Sequence, residues 1–468
     1  MPQAQTVALP KRLPLVINPE NRAGSTDKDS RLVNCYTEKM QDGTFWVYKR
    51  SGLLESSQPS GGAAAGRGMY NWLGDVYSVF GTTLYKNGSS LGTVNGTNGK
   101  YYFSSCKGAT PKLQLGNGVK AYNYDAGAGL VEIIDVDFPT TFCKGWAFLD
   151  GTTYVLRPDA GLQGDDINTP TSWDPLNVII AQIEPDLGVA LAKQLVYAIV
   201  MKQWSSEVFY DAGNSTGSPL SPVQGAKVNY GCASAETVVS IDGILLWVST
   251  NQSASIQVIK MDNLKAEIIS TDPIERLLDK ADFTGDVYAF QYKNVGHRFY
   301  VLTIVNSNLT LVYDLDEKMW HQWTDVDGNY FPIIASTYDS TQQLHYFQHA
   351  TNGRIYLADE TYYTDAGDTI TVDIYTPNFD GETNRRKTLT MMKFLTDQVV
   401  GSVLQVRNND NDFKVDKWTG FRKVDLSHKQ PLLANCGTFV ERAYNFRHQS
   451  ATEFRIKGVE MQIDLGTL

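Results

Sequence analysis

From about residue 65 to 365 the chain repeats one local pattern: a strand, a tight polar turn, and a second strand ending on an aromatic residue. DVYSVFGTTLYKNG reaches Tyr85, PKLQLGNGVKAYNYD reaches Tyr122, and GWAFLDGTTYVLRPD reaches Tyr154. The pattern returns near Tyr210, Tyr313 and Tyr356, and TVVSIDGILLWVSTNQSASIQVIKM repeats it around 256–259. Asn-Gly, Asp-Gly and Asn-Ser pairs supply the turns, as two-residue hairpins require. The spacing of about 30 to 55 residues is that of propeller blades. One such unit leaves an apolar face bare and an edge open, whereas a closed ring of them covers both. The segment therefore reads as an irregular six- or seven-bladed β-propeller, with stacked sandwiches as the alternative. GLQGDDINTPTSWDP, within 157–180, reads as its largest inserted loop.

Helical periodicity is almost missing. STDPIERLLDK predicts one short helix, with Asp272 as cap, Pro273 in the first turn, and Ile274, Leu277 and Leu278 on one face. A weaker candidate lies at 185–195. From about 368 the strands lengthen and alternate: TITVDIYTP, KTLTMMKFLTD, SVLQVR, FKVDKW, TFVERAYNF and EFRIKGVEMQIDL. In the last, Phe454 and Ile456 share a face. The parity then slips at Gly458 and resumes with Val459, Met461, Ile463 and Leu465, which predicts a β-bulge. The whole is all-β in three parts. Residues 1–64 form an extended arm with a strand pair near 31–36 and 44–49, 65–367 the propeller, and 368–468 a β-sandwich built on its last blade.

Charge narrows the function. Of 51 acidic and 41 basic residues, 34 acidic and 19 basic fall in 51–369. An acidic body does not grip a phosphate backbone. No apolar run is long enough for a membrane helix. MPQAQTVALPKRLPLVINPEN lacks the layout of a signal peptide, so synthesis in a cytoplasm is expected. The five cysteines, Cys35, Cys106, Cys143, Cys232 and Cys436, are scattered and never in a CxxC pair; they read as free, mostly buried thiols. The sequons at Asn87, Asn214 and Asn308 read as polar turns.

Motifs that carry chemistry elsewhere lack their context here. GSSLG at 88–92 and GNSTG at 213–217 match a nucleophile elbow, but Ser90 and Ser215 sit in turns that no helix follows. His345 and His349 have the spacing of a helical zinc pair, yet QLHYFQHATNG reads as a strand, which parts them by about 13 Å; exposed strand-end histidines are expected. NNDNDF (408–413) and DVDGNY (325–330) resemble pieces of calcium loops without the terminal bidentate Glu. GTVNGTNGK lacks phosphate-loop spacing and a following helix. Trp173, Trp204, Trp320 and Trp323 could line a sugar cleft beside two carboxylates, or serve as core. No catalytic residue, cofactor or metal ligand is assigned.

The order of blocks supplies a likeness. The arm DSRLVNCYTEKMQDGTFWVYKRSGL comes first. It is followed by WDPLNVIIAQIEPDLGVALAKQLVYAIVMKQWSSEVFYDAGNSTGSPLSPV, by VNYGCAS, and by YVLTIVNSNLTLVYDLDEKMWHQWTDV ahead of the closing sandwich. This layout resembles the packaged-DNA stabilisation protein, or tail hub (nozzle), family of short-tailed bacteriophages. The resemblance implies a non-enzymatic virion tail protein. It implies a homohexameric ring beneath the head-to-tail adaptor proteins, a tail needle or plug and tailspikes or fibres attached to it, and DNA passing its lumen unbound. A glycosidase or depolymerase, or a receptor-binding propeller, stays open as the alternative.

Overall fold

The computed structural model describes residues 11–15, 19, 29–56, 64–97, 99–107, 110–252 and 256–466. Seven four-stranded antiparallel units follow one another along the chain, five as separate sheets and two as parts of larger ones. Blades 1 to 6 span 66–93, 102–132, 147–180, 188–222, 239–268 and 287–322. Blade 7 takes three strands from 333–359 and its fourth from Gly52–Glu55, which pairs antiparallel with Ile355–Asp359. The innermost strands pack in chain order, and Ile333–Asp339 of blade 7 lies against Gly66–Trp72 of blade 1. The ring is therefore closed and seven-bladed. At the seam Met69, Val76 and Phe80 pack on Ala335, Tyr346 and Ile355. The fully buried Gln348 stitches it: its Nε2 donates to Val79 O at 2.9 Å, and its Oε1 accepts from Gly68 N at 2.8 Å.

The repeating aromatic has a place in this plan. Tyr85, Tyr122, Tyr210, Tyr313 and Tyr356 all lie on third strands, as does Ile259. Tyr154 differs; it lies on the second strand of blade 3. The expected loop at 157–180 is instead the outer half of that blade, Gly161–Asp166 and Thr169–Ile180, joined by the turn Ile167-Asn168 and paired with bulges between Gln163 and Asp166. Its Gly, Asp and Pro residues serve the bulges and the turn, where Asn168 takes φ 56°. The candidate helix at 185–195 is also a strand, Gly188–Gln194. Pairing with Tyr197–Lys202 and burial of Ala190, Leu191 and Ala192 override its helical propensity. The helix Asp272–Lys280 forms as expected, burying Ile274, Leu277 and Leu278, but Thr271 and not Asp272 is the cap residue.

Two sheets make the sandwich. One runs Arg31–Val33, Val372–Tyr375, Ala443–His448, Val403–Asn409, Arg422–Asp425. The other runs Cys35–Lys39, Phe45–Lys49, Arg455–Leu465, Lys387–Thr396, Leu432–Ala434. Leu32, Cys35, Val47, Phe394, Phe446 and Ile456 belong to the core between them, so residues 31–49 are integral to it. The first sheet is continuous with blade 6, because Val33 pairs in parallel with Gln322 on its outer strand. The sandwich thus grows from blade 6 rather than from the last blade, whose outer place Gly52–Glu55 occupies. The bulge at Gly458 is present: Leu395 faces Gly458, Thr396 faces Ile456, and Lys457 is the extra residue. Beyond it Val459 and Met461 are buried, while Leu465 is exposed.

One turn runs against its own chemistry. Asn294 pairs with His297, leaving Val295-Gly296 as a two-residue turn. Val295 adopts φ 41° and is 65 % exposed. A β-branched residue is strained in the left-handed region, where Asn is tolerated. Val295→Asn should raise stability by about 0.5–1 kcal/mol; a lower urea midpoint than wild type would refute this.

Candidate functional site

A propeller's axis is the first place to seek a ligand, and here side chains cross it. Lys100 precedes the inner strand of blade 2, yet its Nζ donates to Ala289 O on the inner strand of blade 6 at 3.0 Å. Those blades lie three apart in the ring, so the bond crosses the interior. Burial pulls the Lys100 ammonium down to about 8. Lys144, ahead of blade 3, pairs with Glu236, ahead of blade 5. Arg67, on the inner strand of blade 1, donates to the carbonyls of Gly81 in its own blade and of Asn95, Thr97 and Gly99 in the connection to blade 2. Each group already has its partner, so the axis is a polar plug and not a channel.

Two buried charge clusters brace the ring. In blade 4, Lys202 Nζ sits 2.9 Å from Asp186 and 2.7 Å from Glu207 and donates to Glu184 O at 2.7 Å. All three side chains are at most 2 % exposed. Asp186 also accepts from the backbone of Trp204 (2.8 Å) and Ser205 (3.0 Å), and Glu207 from Ile183 N (3.0 Å). Burial raises the Asp186 carboxyl, but Lys202 and those N–H groups outweigh it and hold it below its usual range. The second cluster joins the units. Arg50 donates Nε to Asn34 Oδ1 at 2.9 Å, Nη1 to Ser51 O and Asp365, and Nη2 to Thr324 O and Asp365. Asn34, at φ 55°, donates Nδ2 to Thr324 Oγ1 and Thr371 O. Strand Gly52–Glu55, blade 6 and the sandwich all converge on this pair. Nothing in the spacing of the sequence marks either cluster; the available signal was a Lys ending the apolar run VYAIVMK.

The sequence-derived candidates do not assemble into a site. Ser90 lies on the outer strand Ser89–Thr93, and Ser215 in the turn after Ser206–Asp211; neither precedes a helix. His345 and His349 share the strand Leu344–His349 and are half-buried, not exposed. His345 packs edge-on to Tyr292 at 5.1 Å, and burial lowers both imidazoles to about 4. Asp325 closes its own turn by accepting from Asp327 N and Asn329 N. Asp410 pairs with Arg442. No group of three His, Cys, Asp or Glu able to hold a metal occurs among the described residues. Trp173, Trp320 and Trp323 are buried in different clusters, while Trp204 is 42 % exposed alone. Cys35, Cys106 and Cys232 are buried, Cys143 and Cys436 half-buried, and all five are free.

A family model described as "Bacteriophage P22 Gp10, beta-propeller" matches residues 33–362. The chain belongs to that family. Membership makes it a structural phage protein and not an enzyme. The Gp10-family segment begins at Val33, beside Asn34, and ends just past blade 7. It therefore takes in Arg50, the blade 4 clamp and the strand that completes the ring. No curated protein matches the chain. Among solved structures, virginiamycin B lyase from Staphylococcus aureus aligns at 6 % identity over 66 % of this chain and 99 % of its own, with a TM-score of 0.45. The computationally designed Ika8 protein gives 12 %, 65 %, 99 % and 0.40. The N-terminal domain of Nup159 gives 12 %, 70 %, 99 % and 0.38. At those scores no function carries over from them.

One carboxyl of the Gp10-family propeller should be visible to pH. Asp165 in blade 3 is 1 % exposed and accepts from Thr153 N at 2.7 Å. Burial pushes it up to about 7. The folded state thus holds a proton that the unfolded state has released above its ordinary 3.8. Stability falls as pH rises from about 4 to 7, and the cost of ionisation, about 2–4 kcal/mol, is fully present above that window. Asp165→Asn should melt higher than wild type at pH 8 and at the same temperature at pH 4. An equal gain at both pH values would refute the assignment.

Proposed function

We propose that the protein is the tail hub, or nozzle, of a short-tailed phage. Copies form a six-fold ring that closes the head-to-tail channel, retains packaged DNA and passes it at ejection. Head-to-tail adaptors lie above the ring, and a needle or plug, with tailspikes or fibres, is held below. The observation that carries this reading is the family match over 33–362. The plugged axis adds to it. With Lys100 bonded to Ala289 and Lys144 paired with Glu236 across the single propeller, a passage for DNA has to lie between copies. The excess of 34 acidic over 19 basic residues in 51–369 suits a wall along which a polyanion slides.

Mass photometry of the purified protein, alone and with its head-to-tail adaptor, tests the ring. A six-fold species in either sample is expected. A particle that stays monomeric in both would overturn the reading. A wall of this kind also predicts that the purified protein binds DNA weakly at every salt concentration; a steep loss of binding between low and high salt would instead reveal a basic lumen.

A further inference from the structure

Four exposed apolar side chains of the propeller stand on one part of its rim. Ile134 is 82 % exposed, Val136 93 %, Leu176 73 % and Ile180 44 %. The first two lie on the connection from blade 2 to blade 3, the others on the outer strand of blade 3. These pieces touch: Asp135 accepts from Trp173 N at 3.3 Å, and Phe138 packs edge-on to Trp173 at 4.8 Å. That outer strand, Thr169–Ile180, has 12 residues and, among the described residues, no strand beyond it. The outer strands of blades 1, 2, 4 and 5 have three to five. A long apolar edge is a template for association unless something covers it. The rim is also acidic. Segments 133–139 and 166–183 hold four aspartates and no Lys or Arg. None of the four is in an ion pair among the described residues; Asp166 accepts from Ser172 Oγ and Asp174 from Leu176 N.

The other end of the molecule is its counterpart. Blades 2 and 3 are three steps from blade 6 in either direction around a seven-membered ring, and blade 6 carries the sandwich. The last strand of the shared nine-stranded sheet, Arg422–Asp425, is its free edge. Arg422, Lys423 and Lys429 are exposed there, and Leu432 on the facing sheet is 51 % exposed. An apolar acidic rim and a basic edge with an apolar residue thus lie at opposite ends of one chain.

We propose that the rim of blades 2 and 3 in one copy receives the free edge of the sandwich of a second copy. The charges are complementary, and both surfaces belong to the same chain. A contact between two different surfaces of identical subunits propagates and closes as a ring when the rotation allows. The proposal rests on the ring reading above and gives it an interface.

Two full-length variants test it by sedimentation, under the conditions in which wild type assembles. One carries Val136→Arg and Leu176→Arg on the rim. The other carries Lys423→Gln, Lys429→Gln and Leu432→Gln on the edge. All five positions are exposed, so unchanged melting temperatures confirm the fold. Each variant alone should be monomeric. Mixed one to one, they should stop at dimers, because one sound rim and one sound edge remain. Rings from either variant, or a mixture that stays monomeric, would overturn these surfaces and leave the ring reading standing. A wild type that makes no ring, with or without adaptor, would overturn both.

Discussion

Replacing Lys202 with Met is expected to cost about 3–5 kcal/mol, read as a fall in the urea midpoint. Lys202 is the single cation between two carboxylates, all out of water. Removing it leaves Asp186 and Glu207 facing each other uncompensated, which is more damaging than losing the attraction alone. The carboxylates also hold backbone N–H groups of Ile183, Trp204 and Ser205, so the connection into the blade and the turn between its second and third strands loosen together. Neutralising them in the same chain, with Asp186→Asn and Glu207→Gln, should recover a large part of the loss. A Lys202→Met loss below about 1 kcal/mol would put the pair in the class of weak surface bridges and sink the argument.

Arg50→Met is expected to be of the same size, about 3–5 kcal/mol, and to act at a distance from its own position. The guanidinium is 2 % exposed and reaches five acceptors in one plane while lying 4.8 Å over the Phe331 ring. Lys has a point charge and three donors, so Arg50→Lys should rescue little. The readout that separates this from a general loss is amide exchange. Gly52–Glu55 and its partner Ile355–Asp359 should exchange faster in the variant, while blades 2 to 4 keep their protection. Uniform acceleration across all blades would refute a local latch.

Much of the plan was legible because strands and turns are local. Hairpins with Asn-Gly and Asp-Gly turns announced blades, and a one-residue slip at Gly458 announced the bulge. The helix was legible from the 3.6-residue spacing of Ile274, Leu277 and Leu278. What misled was composition: GLQGDDINTPTSWDP has the residues of a loop, yet its turn and bulges use them inside a strand pair. What stayed hidden was pairing at long range. Val33 meets Gln322 and Asp373, and Leu54 meets Leu357; no periodicity within 31–55 encodes a partner hundreds of positions away. The blade count was ambiguous for the same reason, since the seventh blade borrows its last strand. The charge clusters were hidden because Lys202, Asp186 and Glu207 look like ordinary surface residues until the strands around them are buried.

The borrowed strand has a consequence for how the molecule is made. Gly52–Glu55 leaves the ribosome early, and its partner Ile355–Asp359 leaves only after nearly the whole propeller has been translated. Blades 1 to 5 are built from contiguous sequence and can fold as they emerge. The final blade must wait, and its closure over so long a separation is the slow, high-contact-order step of folding. Until then the two end blades present open seams, so a prematurely terminated chain remains unlatched and exposed to proteases. Synthesis to the end of blade 7 becomes a checkpoint: a subunit seals its propeller only after the sequence needed to carry it has been made.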